Sequence, residues 1–296
     1  MGAVLAAPAP IPLLSRNGRR GALGPDEGKK DMTTDLASVA PQIPRDRWQR
    51  PLVIPRGGGS PVAYTRCTTY VGVLEDTYNL ARWQQRMVAL GLASRPDLLL
   101  AVSAHSDDKA QLNRICADAQ EAAAAHAAAT TGTALHALTE RLDRGMPVGV
   151  IPEAYEADLA AYEKATTDLT PVEIETFTVL DTLQIGGTPD RVVEYQGIRY
   201  IADVKTGSIE YGIGKIAMQL AVYSRSSLYN PATAERTGLQ VDQNNAIVIH
   251  LPAGQGRCEL HWVNIAAGWE AVKLATSVRA WRARSGLSMP FKGVNA

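Results

Sequence analysis

The sequence predicts a mixed α/β (α+β) domain: a mixed β-sheet flanked by helices, with a helical N-terminal portion. Two observations carry this. Between about residues 78 and 167 apolar residues recur at helical spacing, whereas from about 172 to 206 runs rich in Val, Ile, Thr and Tyr alternate with a period of two. The chain then returns to a helical stretch, two strands and a last helix, an order that layers helices on a sheet.

Residues 1–58 are rich in Pro, Gly and Ala without a sustained period, and read as a mostly disordered leader, with Met32 as a second candidate start. The leader ends in "PRDRWQRPLVIPRGGGSP", where Arg45, Arg47, Arg50 and Arg56 surround Trp48. That segment suits either a phosphate backbone or a solvated linker, and the linker is the simpler reading. A single domain follows over 59–296, with a helical part over 59–168 and a sheet core over 169–284. Leu80, Trp83, Met87 and Leu90 mark the first long helix, with Gly91 as its stop. An Ala-rich helical region runs from about Asp107 to Arg144, with a break expected near Thr130–Gly132. A third helix is opened by Pro152 and reaches about Thr167.

The period then changes. "VEIETFTVL", "TLQIGGTPDRVVEY" and "IRYIADVKT" read as a three-strand meander with turns at Asp181-Thr182 and Gln196-Gly197. A helix over about 213–228, the strands "NAIVIHL" and "RCELHWVNI", and a helix over about 267–284 complete the order.

Composition excludes several function classes. The 296 residues are 46% hydrophobic and 20% charged with zero formal net charge, so no global basic field points to nucleic acid, although a local groove is compatible with it. Arginine supplies 22 of the 30 basic residues, which suits bidentate phosphate contacts or reflects compositional bias. Cys67, Cys116 and Cys258 are far apart with no paired spacing, which argues against a disulfide framework or a cysteine-built metal centre and for a cytoplasmic protein with reduced thiols. The opening segment is a poor signal peptide, and no later stretch has transmembrane length, so no membrane role is expected. No P-loop motif is present, so no nucleotide cofactor is expected.

The chemistry gathers on "TPDRVVEYQGIRYIADVKTG". With Gln196-Gly197 as a two-residue turn, residues whose numbers sum to 393 lie opposite one another. Asp190 then faces Asp203, Val192 faces Ile201 and Glu194 faces Arg199, with opposed Cβ atoms about 4.5–5.5 Å apart. Lys205 projects from the same face as Asp203. Two carboxylates so placed either share a proton or surround a divalent cation, and oxygen ligands favour Mg2+ or Mn2+. A lysine beside such an ion would orient or deprotonate water, or stabilise developing charge. The plain alternative is a surface ion pair, the commoner fate of an isolated D-x-K.

Three companions weaken that alternative. "GGTPD" allows a bend that re-aims Asp190. In "GTALHALTE", Leu135, Leu138 and Leu142 form the buried stripe, with His136 and Glu140 off it. In "KIAMQLAVY", Lys215, Gln219 and Tyr223 recur every four residues as one polar stripe.

In this order, "GTALH", "GGTPDRV", "IADVKTG" and "QLAVY" resemble the PD-(D/E)XK nuclease superfamily, specifically its RecB-like exonuclease branch in phage-encoded form, over roughly residues 60–284. "VIHLPAGQGRCELHWVNI" and "RCTTYVGVLEDTYNLARW" add to the likeness. The resemblance implies a restriction-endonuclease-like fold. It implies Asp190, Asp203, the backbone carbonyl of Val204 and His136 as metal ligands, and Lys205 as the residue that positions or activates water. It further implies Gln219 and Tyr223 as residues that support the site and touch DNA. Glu175, at the start of the first strand, would hold a second ion or a metal-bound water, with Glu173 on the same strand face as a rival.

The chain departs from cluster-bearing relatives. Cys67 sits where a first cluster cysteine would be, but the C-terminal cysteine group is missing, so no iron–sulfur cluster is expected.

The expected function is therefore a Mg2+-dependent (or Mn2+-dependent) DNA exonuclease in phage DNA recombination, repair or replication. Two other readings are an endonuclease and a non-catalytic DNA-binding or assembly protein on the same fold. DNA is the expected partner. A recombinase, single-strand-binding protein or helicase is a further candidate, and an oligomer is compatible with the sequence. Arg66, Thr68, Thr69 and Lys215 are the candidate DNA contacts, with Arg279, Arg282 and Arg284 as further ones.

Overall fold

The computed structural model describes residues 43–125 and 127–291. In chain order the described helices are α1 (Cys67–Val71), α2 (Tyr78–Ser94), α3 (Pro96–Ala104), α4 (Lys109–Ala122), α5 (Ala127–Asp143), α6 (Glu153–Ala165), α7 (Ile213–Ser224) and α8 (Ile265–Arg282). The strands are β1 (Leu52–Val53), β2 (Val62–Ala63), β3 (Thr65–Arg66), β4 (Thr170–Ile174), β5 (Thr178–Leu180), β6 (Ile185–Gly187), β7 (Arg191–Tyr195), β8 (Ile198–Lys205), β9 (Ser227–Tyr229), β10 (Arg236–Gly238), β11 (Asn245–His250) and β12 (Glu259–Asn264). The domain is mixed α/β, as the sequence predicts.

The main sheet has the order β12-β11-β8-β7-β4, with β11 parallel to β8 and every other pair antiparallel. Strands β7 and β8 alternate their buried residues between two layers. Val192 and Ile201 pack with Val248, Leu220 and Val272 under α7 and α8, while Val193, Ala202 and Val204 pack with Ile249 and Tyr162 of α6 on the other face. The hairpin register is the expected one: Arg191 pairs with Ala202, Val192 with Ile201 and Glu194 with Arg199. Gln196 and Gly197 both take positive φ, 51° and 78°, the backbone of a two-residue type I′ turn.

The predicted meander is instead split between two sheets. β5 and β6 belong to a second sheet of order β10-β9-β5-β6-β3, so "VEIETFTVL" and "TLQIGGTPDRVVEY" each change sheets midway. The first break falls at Glu175–Phe177 and the second at Thr188–Asp190. Gly186 and Gly187 serve close packing: a Cβ at Gly186 would lie 2.8 Å from the Phe177 ring, and one at Gly187 would lie 2.9 Å from the Tyr223 hydroxyl.

Other expectations need correction. Residues 1–42, Met32 among them, lie outside the described residues, but 43–58 is part of the fold rather than leader. Val53 is fully buried against Tyr64, Phe177 and Tyr229, and Arg56 pairs with Asp181 at 2.7 Å. A two-residue strand has no period to read, so composition misled. In α2 the stripe of Leu80, Trp83 and Leu90 is exposed, and Gly91 does not stop the helix. It is buried where α2 crosses α4, and a Cβ there would stand 1.8 Å from the Ala119 carbonyl oxygen. The Ala-rich region breaks between Ala122 and Ala127, not at Thr130–Gly132.

Among the described residues no single helix is long and apolar enough to cross a membrane.

Candidate active site

The sheet change at Thr188–Asp190 places Asp190 immediately before β7, opposite the C-terminal end of β8, where Asp203 and Lys205 share one face. Helix α5 crosses this end. Gly132 lets it approach, since a Cβ there would stand 2.7 Å from the Thr206 hydroxyl. One turn and two turns further along, α5 carries His136 and Glu140. Thus four chain segments, from α5, β4, β7 and β8, meet at one end of the main sheet.

The distances are short. The Val204 N–H donates to Asp190 Oδ2 at 2.8 Å, and His136 Nδ1 lies 3.3 Å from the same oxygen. Among the described residues no hydrogen bond reaches Asp190 Oδ1. Asp203 is 1% exposed, and its Oδ2 forms an ion pair with Lys205 Nζ but makes no hydrogen bond of ordinary geometry. The structure therefore brings together Asp190, Asp203, Lys205, His136 and the Val204 backbone.

Glu175 joins them by an unforeseen route. It does not start a strand. It follows the end of β4 in a left-handed conformation, φ 52°, and its N–H donates to the Asp190 carbonyl oxygen at 3.0 Å. Arg144 fixes the preceding residue by donating to the Ile174 carbonyl oxygen at 2.9 Å, while pairing with Glu140 at 3.0 Å. Glu173, the rival, accepts from the Thr176 hydroxyl at 3.0 Å instead.

Sequence reasoning missed the residue that organises this end of the sheet. Arg191 is 1% exposed although fully charged, and alternation places it on the opposite face from Asp190 and Val192. It pairs with Asp143 through Nε and donates to the Asp190 carbonyl oxygen at 2.8 Å and to the Thr139 hydroxyl at 3.4 Å. Its Nη1 lies 3.8 Å from Glu175 Oε1, and Tyr162 completes the network by donating to Asp143 at 2.7 Å. The signal was an arginine where "DRVVEY" otherwise turns apolar, a charge that must find partners if its strand is central.

Electrostatically the site is overloaded with negative charge. Of the groups named, Glu140, Asp143, Glu175, Asp190 and Asp203 face Arg144, Arg191 and Lys205, so two negative charges are unbalanced when all are ionised. Burial, reinforced by Asp190, pushes the Glu175 carboxyl up to about 8. Burial and then Asp190 push Asp203 up to about 6, against the pull of Lys205. Asp190 is also raised by burial, opposed by Lys205 and the Val204 N–H. Burial and Lys205 lower His136, keeping its imidazole neutral and available as a ligand.

The donor set fits a hard divalent cation. The buried Asp203 carboxylate and the partly buried Asp190 carboxylate stand beside a neutral imidazole, in a cluster where carboxyl groups outnumber cationic ones.

The remaining candidates are placed differently. Tyr223 is 3% exposed and so presents no face to solvent or DNA here; Gln219 donates to its hydroxyl at 3.4 Å. Burial raises the Tyr223 hydroxyl well above its usual value. Lys215 pairs with Glu75 at 2.7 Å. Arg66, Thr68 and Thr69 are exposed at the β3–α1 junction. Arg279 stacks over Tyr70 at 4.5 Å, and the guanidinium of Arg47 covers the Trp48 ring at 3.9 Å.

No protein-family model matches the chain, and no curated protein matches it.

Proposed function

We propose that the chain is a metal-dependent deoxyribonuclease, an exonuclease of the RecB-like PD-(D/E)XK type, that hydrolyses DNA phosphodiesters. The observation that carries this reading is the pairing at the end of the hairpin. The Asp190 carboxylate is anchored to the Val204 N–H beside His136, and the buried Asp203 is opposite it with Lys205 in contact. Their order along the chain matches the motifs of that superfamily.

Asp190, Asp203, His136 and the Val204 carbonyl would hold Mg2+ or Mn2+. When bound, the ion supplies Lewis acidity toward the phosphodiester and toward water. The chain's own residues do the rest. The Val204 N–H orients the Asp190 carboxylate, with His136 3.3 Å from the same oxygen, so this part of the site is set before substrate binds. Lys205 positions the attacking water and presents its ammonium to the charge developing on the phosphoryl oxygens. Glu175, raised to about 8 by burial and Asp190, is a hydrogen-bond donor close to Asp190 when protonated. Arg191 is a positioning residue that holds the Asp190 backbone from the opposite face of the sheet.

Phosphate contacts fall to the exposed Arg66, Thr68 and Thr69, with Lys215 released from Glu75 as DNA binds. The setting proposed is cytoplasmic phage DNA recombination, repair or replication, with a recombinase, single-strand-binding protein or helicase as partner. End-labelled linear duplex compared with closed circular DNA, in Mg2+, tests the exonuclease reading. Loss of the linear substrate with the circle intact supports it. Cleavage of the circle favours an endonuclease, and intact DNA in both arms favours a binding protein.

A further inference from the structure

A second cluster of ligands lies outside the groups just described. His250 ends β11, and Glu259 and His261 lie on the neighbouring strand β12, with Glu259 directly opposite His250. One ligand atom from each of the three lies within 4.8 Å of the others. Alternation puts all three on the sheet face that carries Asp203 and Lys205, because His250 is the register partner of Lys205 in the parallel β8–β11 pair.

We propose that His250, Glu259 and His261 form a binding site for a zinc-like divalent transition metal, separate from the hard-cation site at Asp190 and Asp203. Three features of the cluster point to it. First, His250 Nε2 lies 3.1 Å from the Gly207 carbonyl oxygen, and a carbonyl only accepts, so Nε2 carries the proton and Nδ1 keeps a free lone pair. A ring nitrogen fixed to a backbone carbonyl, with the other left bare, is the usual state of a metal-binding histidine. Second, His261 Nε2 is buried without a hydrogen bond, 3.6 Å from Glu259 Oε2, and its ring centroid lies 5.8 Å from that of His250. A buried ring nitrogen with no partner is costly unless something occupies it. Third, the turn that returns His250 to Glu259 is held rigidly. Buried Asp158 accepts from the Gly254 and Gly256 N–H groups, each at 2.6 Å, and the Ala253 N–H donates to the Thr206 carbonyl oxygen at 3.1 Å.

Two imidazoles and one carboxylate form a His2Glu set, which prefers zinc-like ions over Mg2+. Bonds of about 2.0–2.1 Å in a tetrahedral shell need ligand atoms about 3.3 Å apart, so side-chain rotation alone would close the cluster. Arg257 holds only Glu259 Oε1, at 3.3 Å, and leaves Oε2 without a hydrogen bond among the described residues, 3.6 Å from His261 Nε2. The inference stands on its own geometry and does not depend on the nuclease reading.

The test is titration of the full-length, chelator-stripped protein with Zn2+ in excess Mg2+, followed by calorimetry, with Co2+ as a spectroscopic stand-in. The expected result is one tightly bound zinc per chain. His261→Ala should weaken it at least about 100-fold, more than the loss of a mere supporting partner, and Glu259→Gln should weaken it in the same direction. Both positions lie on an exposed edge strand, and circular dichroism verifies the fold. Asp203→Ala should leave zinc binding and the Co2+ visible band unchanged. The inference is overturned if no zinc binds in excess Mg2+, if bound zinc survives in both His261→Ala and Glu259→Gln, or if Asp203→Ala removes it.

Discussion

Asp190 reaches across the hairpin to Val204 and not to Asp203: its Oδ2 accepts the Val204 N–H at 2.8 Å, while Asp203 is met by Lys205. Two carboxylates that the register sets against each other are thus given separate partners, one a backbone donor and the other an ammonium. Each therefore has a partner of its own, in a cluster where carboxyl groups outnumber cationic ones.

That division makes Asp190 separable into a structural and a chemical role. Asp190→Asn keeps an oxygen for the Val204 N–H and removes one of the opposed charges. It should match or exceed the wild type in thermal stability in chelator at pH 7.5 while losing the proposed nuclease activity. Asp190→Ala leaves the N–H unmet and should be less stable by about 1–3 kcal/mol. Thermal denaturation of the two variants side by side checks this.

Arg191 and Asp143 form a buried pair, and removing one partner strands the other. Arg191→Met should destabilise by about 3–5 kcal/mol, seen as a lowered denaturant midpoint. The double variant Arg191→Met with Asp143→Leu should recover part of that loss, because no uncompensated charge then remains. A double variant no better than the single one would show that hydrogen bonds to Thr139 and the Asp190 carbonyl dominate instead.

The pH dependence has a defined sign. Glu175 is raised in the folded state to about 8, so the native state binds more protons than the unfolded state between the usual carboxylate range and that value. Its contribution to stability is complete below about pH 4.5 and is lost as pH rises through about 8, with a slope of at most about 1.4 kcal/mol per pH unit. Asp203 adds the same sign up to about 6. In chelator, Glu175→Gln should gain stability over the wild type from pH 5 to about 8 and level off above that. A constant difference across that range would show that Glu175 ionises normally.

Gly91 offers a test of packing remote from the site. Its absent Cβ would stand 1.8 Å from backbone of Ala119, which cannot move like a side-chain tip. Gly91→Ala should therefore destabilise by about 1–3 kcal/mol despite the better helix propensity of alanine. If the substitution stabilises the protein, α2 and α4 are not packed as described.

The site was legible where chemistry and local geometry coincide. Gln196-Gly197 fixes the register of β7 and β8, so the opposition of Asp190 and Asp203 and the shared face of Lys205 follow from the turn alone. His136 was legible only through its neighbours, since a histidine off an apolar stripe has no period of its own. Arg191 was not legible as a positioning residue, because its partners Asp143, Thr139 and Tyr162 are set by how α5 and α6 pack on the sheet. The second sheet was hidden for a related reason: β3, β5, β6, β9 and β10 are two or three residues long, too short for alternation to register. The stripe of Leu80, Trp83 and Leu90 had a clear helical period and predicted α2, but periodicity does not say which face is covered. The ligand cluster at His250, Glu259 and His261 escaped notice because it needs the pairing of β11 with β12, and no turn motif announces that register.

The most direct test of the central claim is degradation of 5′- and 3′-labelled linear DNA, duplex and single-stranded, in Mg2+, in Mn2+ or in chelator. Wild type is compared with Asp203→Ala and Lys205→Ala variants verified as folded. The account predicts release of nucleotides from an end only when a divalent cation is present, with each substitution reducing the rate at least about 100-fold. Degradation that persists in chelator, or that survives both substitutions, would contradict it.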